Sequence, residues 1–152
     1  MATIKSYTDV SQSKKLTEIL SPESADMRYG YIAPYDYSDR MYDWGYDEIP
    51  YPEDFLVKNP NFSANEYDAE LPCWSLASLL EQLPYEVCDD DGNSLYLEIN
   101  KEDDIYQLVY AERYGDFESI ETDRHEHFVD ACYEMVVRLR ELNLLWLWKN
   151  YQ

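Results

Sequence analysis

A chain of 152 residues fits one domain, and 45% hydrophobic with 16% aromatic residues supplies enough apolar material for a core. Its formal charge of -20 at pH 7 argues against direct binding to nucleic acid or anionic membranes, since both rely on Lys and Arg. Sixteen Tyr, four Trp and four Phe set it apart from acidic disordered chains, which are poor in aromatics.

In chain order, Met1 to Val10 is polar and lacks the apolar stretch of a secretory signal. The first helix is expected to be capped by Ser11 or Ser13 and to run through Leu20, with Leu16, Ile19 and Leu20 at helical spacing; Ser21-Pro22 ends it. Met27 to Ile32 reads as a short strand. Ala33 to Pro60 interleaves tyrosines with acids and is punctuated by Pro34, Pro50, Pro52, Pro60 and Gly45, so little regular structure is expected there. Pro72 to Leu83 reads as a second helix, with Pro72 in its first turn, Leu76, Leu79, Leu80 and Leu83 as its stripe, and Pro84 as its stop.

Tyr85 to Cys88 and Leu95 to Ile99 predict a hairpin around Asp89-Asp90-Asp91-Gly92-Asn93-Ser94. Alternation points Leu95, Leu97 and Ile99 to one side, and Tyr96 and Glu98 to the other. Ile105 to Glu112 and Phe117 to Glu121 extend this meander, with turns at Glu102-Asp103-Asp104 and Tyr114-Gly115-Asp116. The last helix is expected from about Glu126 to Leu142, with Phe128, Ala131, Cys132, Met135, Leu139 and Leu142 on its buried face. The apolar tail Leu144 to Trp148 either docks on its own sheet or meets a second subunit through Trp146 and Trp148, giving a homodimer. The predicted fold class is α+β: an antiparallel meander of three to four strands packed by about three helices. It forms a single domain over residues 1–152, with a long Tyr-rich acidic loop at 33–60.

The charge is concentrated in the middle of the chain. Residues 1–22 carry a net of +1 and residues 124–152 are neutral, while residues 23–123 hold twenty-six acids against five bases, a net of -21. Such a surface either keeps the protein soluble or steers cationic partners toward it. Within the loop, Tyr35, Tyr37, Tyr42, Tyr46 and Tyr51 alternate with Asp39, Asp43, Asp47, Glu48, Glu53 and Asp54. These eleven residues are the candidate partner-binding set, because Tyr offers amphipathic contact area with few rotatable bonds. The alternative is a wrapping loop whose rings pack on the core.

The candidates for chemistry are sparse. Placing Gly92 at the sixth position of a calcium loop puts Glu98 at the twelfth but Val87 at the first, so Asp89 to Gly92 reads as a solvated hairpin turn. His125 and His127 have the spacing to chelate a transition metal, with Asp123 or Glu121 as oxygen ligand, only where the backbone is extended. Cys73, Cys88 and Cys132 lie far apart and read as reduced cytosolic thiols. Cys73, expected to head a helix, is the one thiol whose pKa that position would lower, although Trp74 beside it suggests burial. The expectation is no catalytic residue, no cofactor and no metal.

Three stretches carry a resemblance. They are Asp9-Val-Ser-Gln-Ser-Lys-Lys-Leu-Thr-Glu-Ile-Leu20 with Glu23-Ser-Ala-Asp-Met27, then Leu71-Pro-Cys-Trp-Ser-Leu-Ala-Ser-Leu-Leu80 with Leu83-Pro84, then Asp130-Ala-Cys-Tyr-Glu-Met135 with Leu139 to Leu145. Together, over about a third of the chain, they resemble an uncharacterised family of small acidic proteins from bacteriophages and mobile elements of gut anaerobes. The resemblance implies a phage or mobile-element setting rather than a chemistry and carries over no functional residues; with the reduced thiols, the expected compartment is the cytoplasm of the host cell. The leading expectation is a non-enzymatic protein whose acidic, Tyr-rich face engages a basic protein surface. Its sharper form is an inhibitor of a nucleic-acid-binding protein that presents carboxylates in place of phosphates. The rivals are an enzyme or small-ligand binder with a cleft beneath residues 33–60, and a dimeric accessory or virion-associated protein held by the tail.

Overall fold

The computed structural model describes residues 4–32, 45–46, 50–52, 71–113 and 119–145; for 31–32, 45–46 and 51–52 it describes the backbone alone. The fold is α+β, and every strand pairing among the described residues is antiparallel. The chain divides into two compact units, Thr8–Ser75 and residues 1–7 together with Leu76–Gln152.

In the first unit, helix α1 spans Val10–Thr17. Its cap is Asp9 rather than Ser11 or Ser13. The Asp9 carboxylate accepts from the Gln12 amide at 2.8 Å, and the Gln12 side chain accepts from the Asp9 amide at 3.0 Å, a reciprocal capping box. Ser13 is unavailable as a cap because its hydroxyl is buried against that of Thr8, 2.8 Å away. The helix ends three residues before Leu20, whose amide still bonds back to the Leu16 carbonyl.

A 3-10 turn at Pro22–Ser24 leads into β1 (Met27–Tyr29) and β2 (Tyr31–Ile32). Strand β3 (Gly45–Tyr46) pairs with β2, and β4 (Tyr51–Pro52) pairs with β1, so the 33–60 segment does contribute short regular pieces. The expected helix start at Pro72 is replaced by a strand, β5 (Leu71–Cys73), whose Pro72 faces Arg28. The sheet order is β4-β1-β5, and each edge strand contains a proline, Pro52 and Pro72. An edge position tolerates the missing amide hydrogen, and proline there blunts the edge against further pairing. Helix α1 lies against β5, and Leu16, Tyr29, Cys73 and Trp74 form a core at 0–1% exposure.

In the second unit, helix α2 is confined to Leu76–Glu81, with Ser78 and Leu79 buried and Leu76 and Leu80 only partly so. Strands β6 (Glu86–Cys88), β7 (Ser94–Glu102), β8 (Ile105–Ala111) and β9 (Ile120–Glu121) form a meander in that order. The hairpin register sets Val87 against Leu95, as the alternation predicts. Its turn is tied by the Asp89 carboxylate, which accepts from the Asn93 amide at 2.8 Å, the Asn93 side chain and the Asp91 amide. Gly92 takes a φ of 82°, where a side chain is disfavoured.

Helix α3 (Phe128–Glu141) packs on β8. Val129, Ala131, Cys132, Met135, Val136 and Leu139 are fully buried with Leu108 and Tyr110, each such side chain stabilising by roughly 1.5–3 kcal/mol when large. Leu142, expected on this face, is the C-cap and is 51% exposed. Leu144 and Leu145 are buried within the chain itself, so the first part of the apolar tail is covered.

Candidate functional site

The meander has two unlike faces, and the pairing register defines both. Toward α3 it presents Val87, Leu95, Leu108, Tyr110 and Tyr106, the last stacked on Phe128 at 5.0 Å. Ile99 shares this side yet is 46% exposed, since it lies on β7 while α3 packs on β8, where its partner Leu108 is fully buried.

The opposite face is built of rows. Glu86, Tyr96 and Ala111 lie side by side across β6, β7 and β8; Glu98, Val109 and Glu121 follow across β7, β8 and β9. Asn100 with Gln107 and Glu102 with Ile105 complete it. Glu86, Glu98, Glu102 and Glu121 are all exposed. Glu98 and Glu121 sit two strand spacings apart, about 10 Å, with the buried Val109 between them. Among the described residues no cation pairs with Glu86 or Glu98, while Glu102 meets Arg124 at 3.6 Å. Residues 71–123, which include all the residues of this face, carry fourteen acids against two bases.

Two tyrosines occupy the β6 end of this face. The rings of Tyr85 and Tyr96 lie 5.6 Å apart at 60° to one another, and Tyr85 is 61% exposed. The Arg113 guanidinium carbon sits 4.2 Å from the centre of the Tyr96 ring, and its Nη2 donates to the Tyr85 hydroxyl. Sequence reading placed Tyr96 and Glu98 on one side of β7 but missed Arg113. The available signal was its being one of two bases among residues 71–123.

Of the sequence-predicted partner residues, Tyr35, Tyr37, Asp39, Tyr42, Asp43, Asp47, Glu48, Glu53 and Asp54 lie outside the described residues, as do Trp146 and Trp148. Tyr46 and Tyr51 are placed by their backbones, opposite Tyr31 and Arg28. The cleft expected beneath 33–60 also lies outside the described residues.

The remaining chemical candidates resolve into structural roles. His125 forms an isolated bridge with Tyr106, and its Nε2 donates to the Glu134 carboxylate at 2.9 Å. Glu134 also accepts from the Asp123 amide, fixing the chain that enters α3. Among the described residues no cluster of three or more His, Cys, Asp or Glu gathers to hold a metal.

Cys73 corrects its expectation outright. It lies in a strand, fully buried, and burial pushes its thiol up to about 11 although the Thr8 hydroxyl bonds it. Burial likewise raises Cys132 to about 12. Neither supplies a thiolate nucleophile near neutral pH. Cys88 is the exposed thiol, at the end of β6. A hollow of about 130 Å³ beside the β7–β8 turn, lined by residues such as Asn100, Asp103 and Arg124, has room for only a few waters and is well below the size of a small-molecule site.

Among the described residues no helix is long and apolar enough to cross a membrane. Comparison with protein-family models, with curated proteins and with solved structures finds no match.

Proposed function

We propose that this chain is a non-enzymatic binding protein that engages a basic surface of another protein through the outer face of its four-stranded sheet. The observation that carries the reading is the row pattern of that face: Glu86, Glu98, Glu102 and Glu121 exposed around Tyr96, with Glu86 and Glu98 facing no cation among the described residues. Carboxylates so placed contribute little to folding and much to the field felt by an approaching cation. Exposed tyrosine supplies contact area of the kind enriched at interfaces.

In its sharper form the partner is a nucleic-acid-binding protein, and the carboxylates occupy the places of backbone phosphates. The resemblance of Asp9–Leu20, Leu71–Leu80 and Asp130–Met135 to proteins of bacteriophages and mobile elements supports that setting, with the cytoplasm of the host cell as the compartment. The acidic tyrosines of 33–60 are a second contact element under the same proposal.

The test is binding to a purified basic DNA-binding domain as salt is raised, with and without duplex DNA. Phosphate-like recognition predicts that affinity drops at least ten-fold between about 50 and 200 mM salt and that DNA competes. Affinity that ignores both salt and DNA refutes the mimic.

A further inference from the structure

The tyrosine notch at the β6 end of the acidic face holds a ligand already, and that ligand belongs to the chain. Arg113 follows the last residue of β8 by two positions and turns its guanidinium onto the Tyr96 ring at 4.2 Å, well inside the ~6 Å range of a cation–π contact. The Tyr85 ring, tilted by 60°, closes the second side, and its hydroxyl accepts from Nη2. Glu86 is the direct cross-strand neighbour of Tyr96 and supplies negative charge beside the notch. Tyr85 and Arg113 are both exposed, so the guanidinium is held at the surface and can exchange.

We propose that this notch is an arginine-recognition site for the basic partner, and that Arg113 is a self-ligand the partner's arginine displaces. The inference rests on the acidic sheet face being the partner-binding surface, and it names the side chain that face selects. A planar guanidinium stacks on one ring while donating sideways to a second, whereas an ammonium stacks poorly and offers no in-plane fork. Because Arg113 is tethered, its effective concentration at the notch is high, and an incoming arginine must compete with it. The free protein is thus partly self-masked at a point where its acidic face carries exposed aromatic area.

The experiment titrates the full chain with an oligo-arginine peptide and an oligo-lysine peptide of equal length. The wild type is expected to prefer the arginine peptide by roughly three-fold, the size of an exposed cation–π contact. Arg113→Lys keeps the net charge, vacates the planar contact and raises arginine-peptide affinity by about three-fold, with the lysine peptide unmoved. Tyr96→Leu abolishes the preference while both peptides still bind. An Arg113→Lys variant that gains nothing, or gains equally for both peptides, overturns the self-ligand. Binding that falls with Glu98→Gln and Glu121→Gln but ignores Arg113 and Tyr96 removes this inference and leaves the acidic-face reading intact. Absence of binding to either peptide removes both.

Discussion

Around Thr8 each polar atom is answered by another protein atom, whereas on the outer face of the four-stranded sheet Glu86 and Glu98 face no cation among the described residues and are left to water. The Thr8 amide donates to the Trp74 carbonyl at 2.9 Å and its carbonyl accepts from the Tyr29 hydroxyl at 2.7 Å. Its hydroxyl pairs with Ser13, accepts from the Trp74 amide at 3.1 Å and reaches the Cys73 thiol. Thr8 and Ser13 are fully buried, so each unmade bond there would cost a desolvation penalty. Glu86 and Glu98 incur no such penalty, since both are exposed to water, and Glu121, also exposed, accepts among the described residues only from the Ser119 hydroxyl at 2.9 Å. The first arrangement specifies the fold. The second carries little structural duty, with exposed pairs such as Glu102 with Arg124 contributing little to folding.

The contrast breaks most visibly at Thr8. Thr8→Val keeps shape, leaves the buried Trp74 amide without its partner and reduces the Ser13 hydroxyl to its 3.5 Å bond to the Thr8 carbonyl, so stability should fall by about 2–4 kcal/mol in urea unfolding. A loss under about 0.5 kcal/mol would mean that the knot is no more essential than the surface.

The Cys73 thiol in the same knot gives a pH signature. Its folded pKa of about 11 lies above the ordinary 9.0, so the folded state holds the proton more tightly than the unfolded chain does. The associated stability is complete below pH 9 and disappears as pH rises through about 11, a loss on the order of 2–3 kcal/mol. Cys73→Ala should flatten that part of the stability–pH curve even if it lowers the curve as a whole. An unchanged slope between pH 9 and 11 would show that the thiol titrates alike in both states.

Glu134 lies between the two extremes, its side chain 23% exposed but tied to His125 and to the Asp123 amide. Glu134→Ala should cost about 1–2 kcal/mol, read from the same unfolding midpoint, with fraying at the start of α3 rather than loss of the sheet.

How much of this was legible follows the same division. Period-two alternation and the Asp-Gly turn exposed the β6–β7 hairpin, because a half-buried strand has to alternate. Pro72 misled, since a proline satisfies both the first turn of a helix and an edge strand, and only the pairing with Arg28 decides between them. The Cys73 expectation fell with it: a thiol read at a helix N-terminus sits in a strand, where burial raises its pKa. Asp9 lost to Ser11 and Ser13 in the reading because the demand on Ser13 comes from Thr8, which no helix-capping pattern encodes. On the acidic face, the placement of Tyr96 and Glu98 was visible in the alternation. Joining Glu121 to Glu98, or Arg113 to Tyr85, required the strand register and the loop path, which bring together residues 23 and 28 positions apart.

The smallest expected change in stability is also the sharpest probe of the comparison. Glu98→Gln with Glu121→Gln removes two exposed charges flanking Val109 while keeping side-chain length. Because both carboxylates are exposed and Glu98 faces no cation among the described residues, stability should move by less than about 0.5 kcal/mol, upward if the two repel across the strands. Affinity for a basic partner should nevertheless fall several-fold at low salt and converge with the wild type at high salt, where screening erases the difference. If folding suffers and binding does not, the carboxylates serve the fold after all, and the division between an inward polar knot and an outward acidic face collapses.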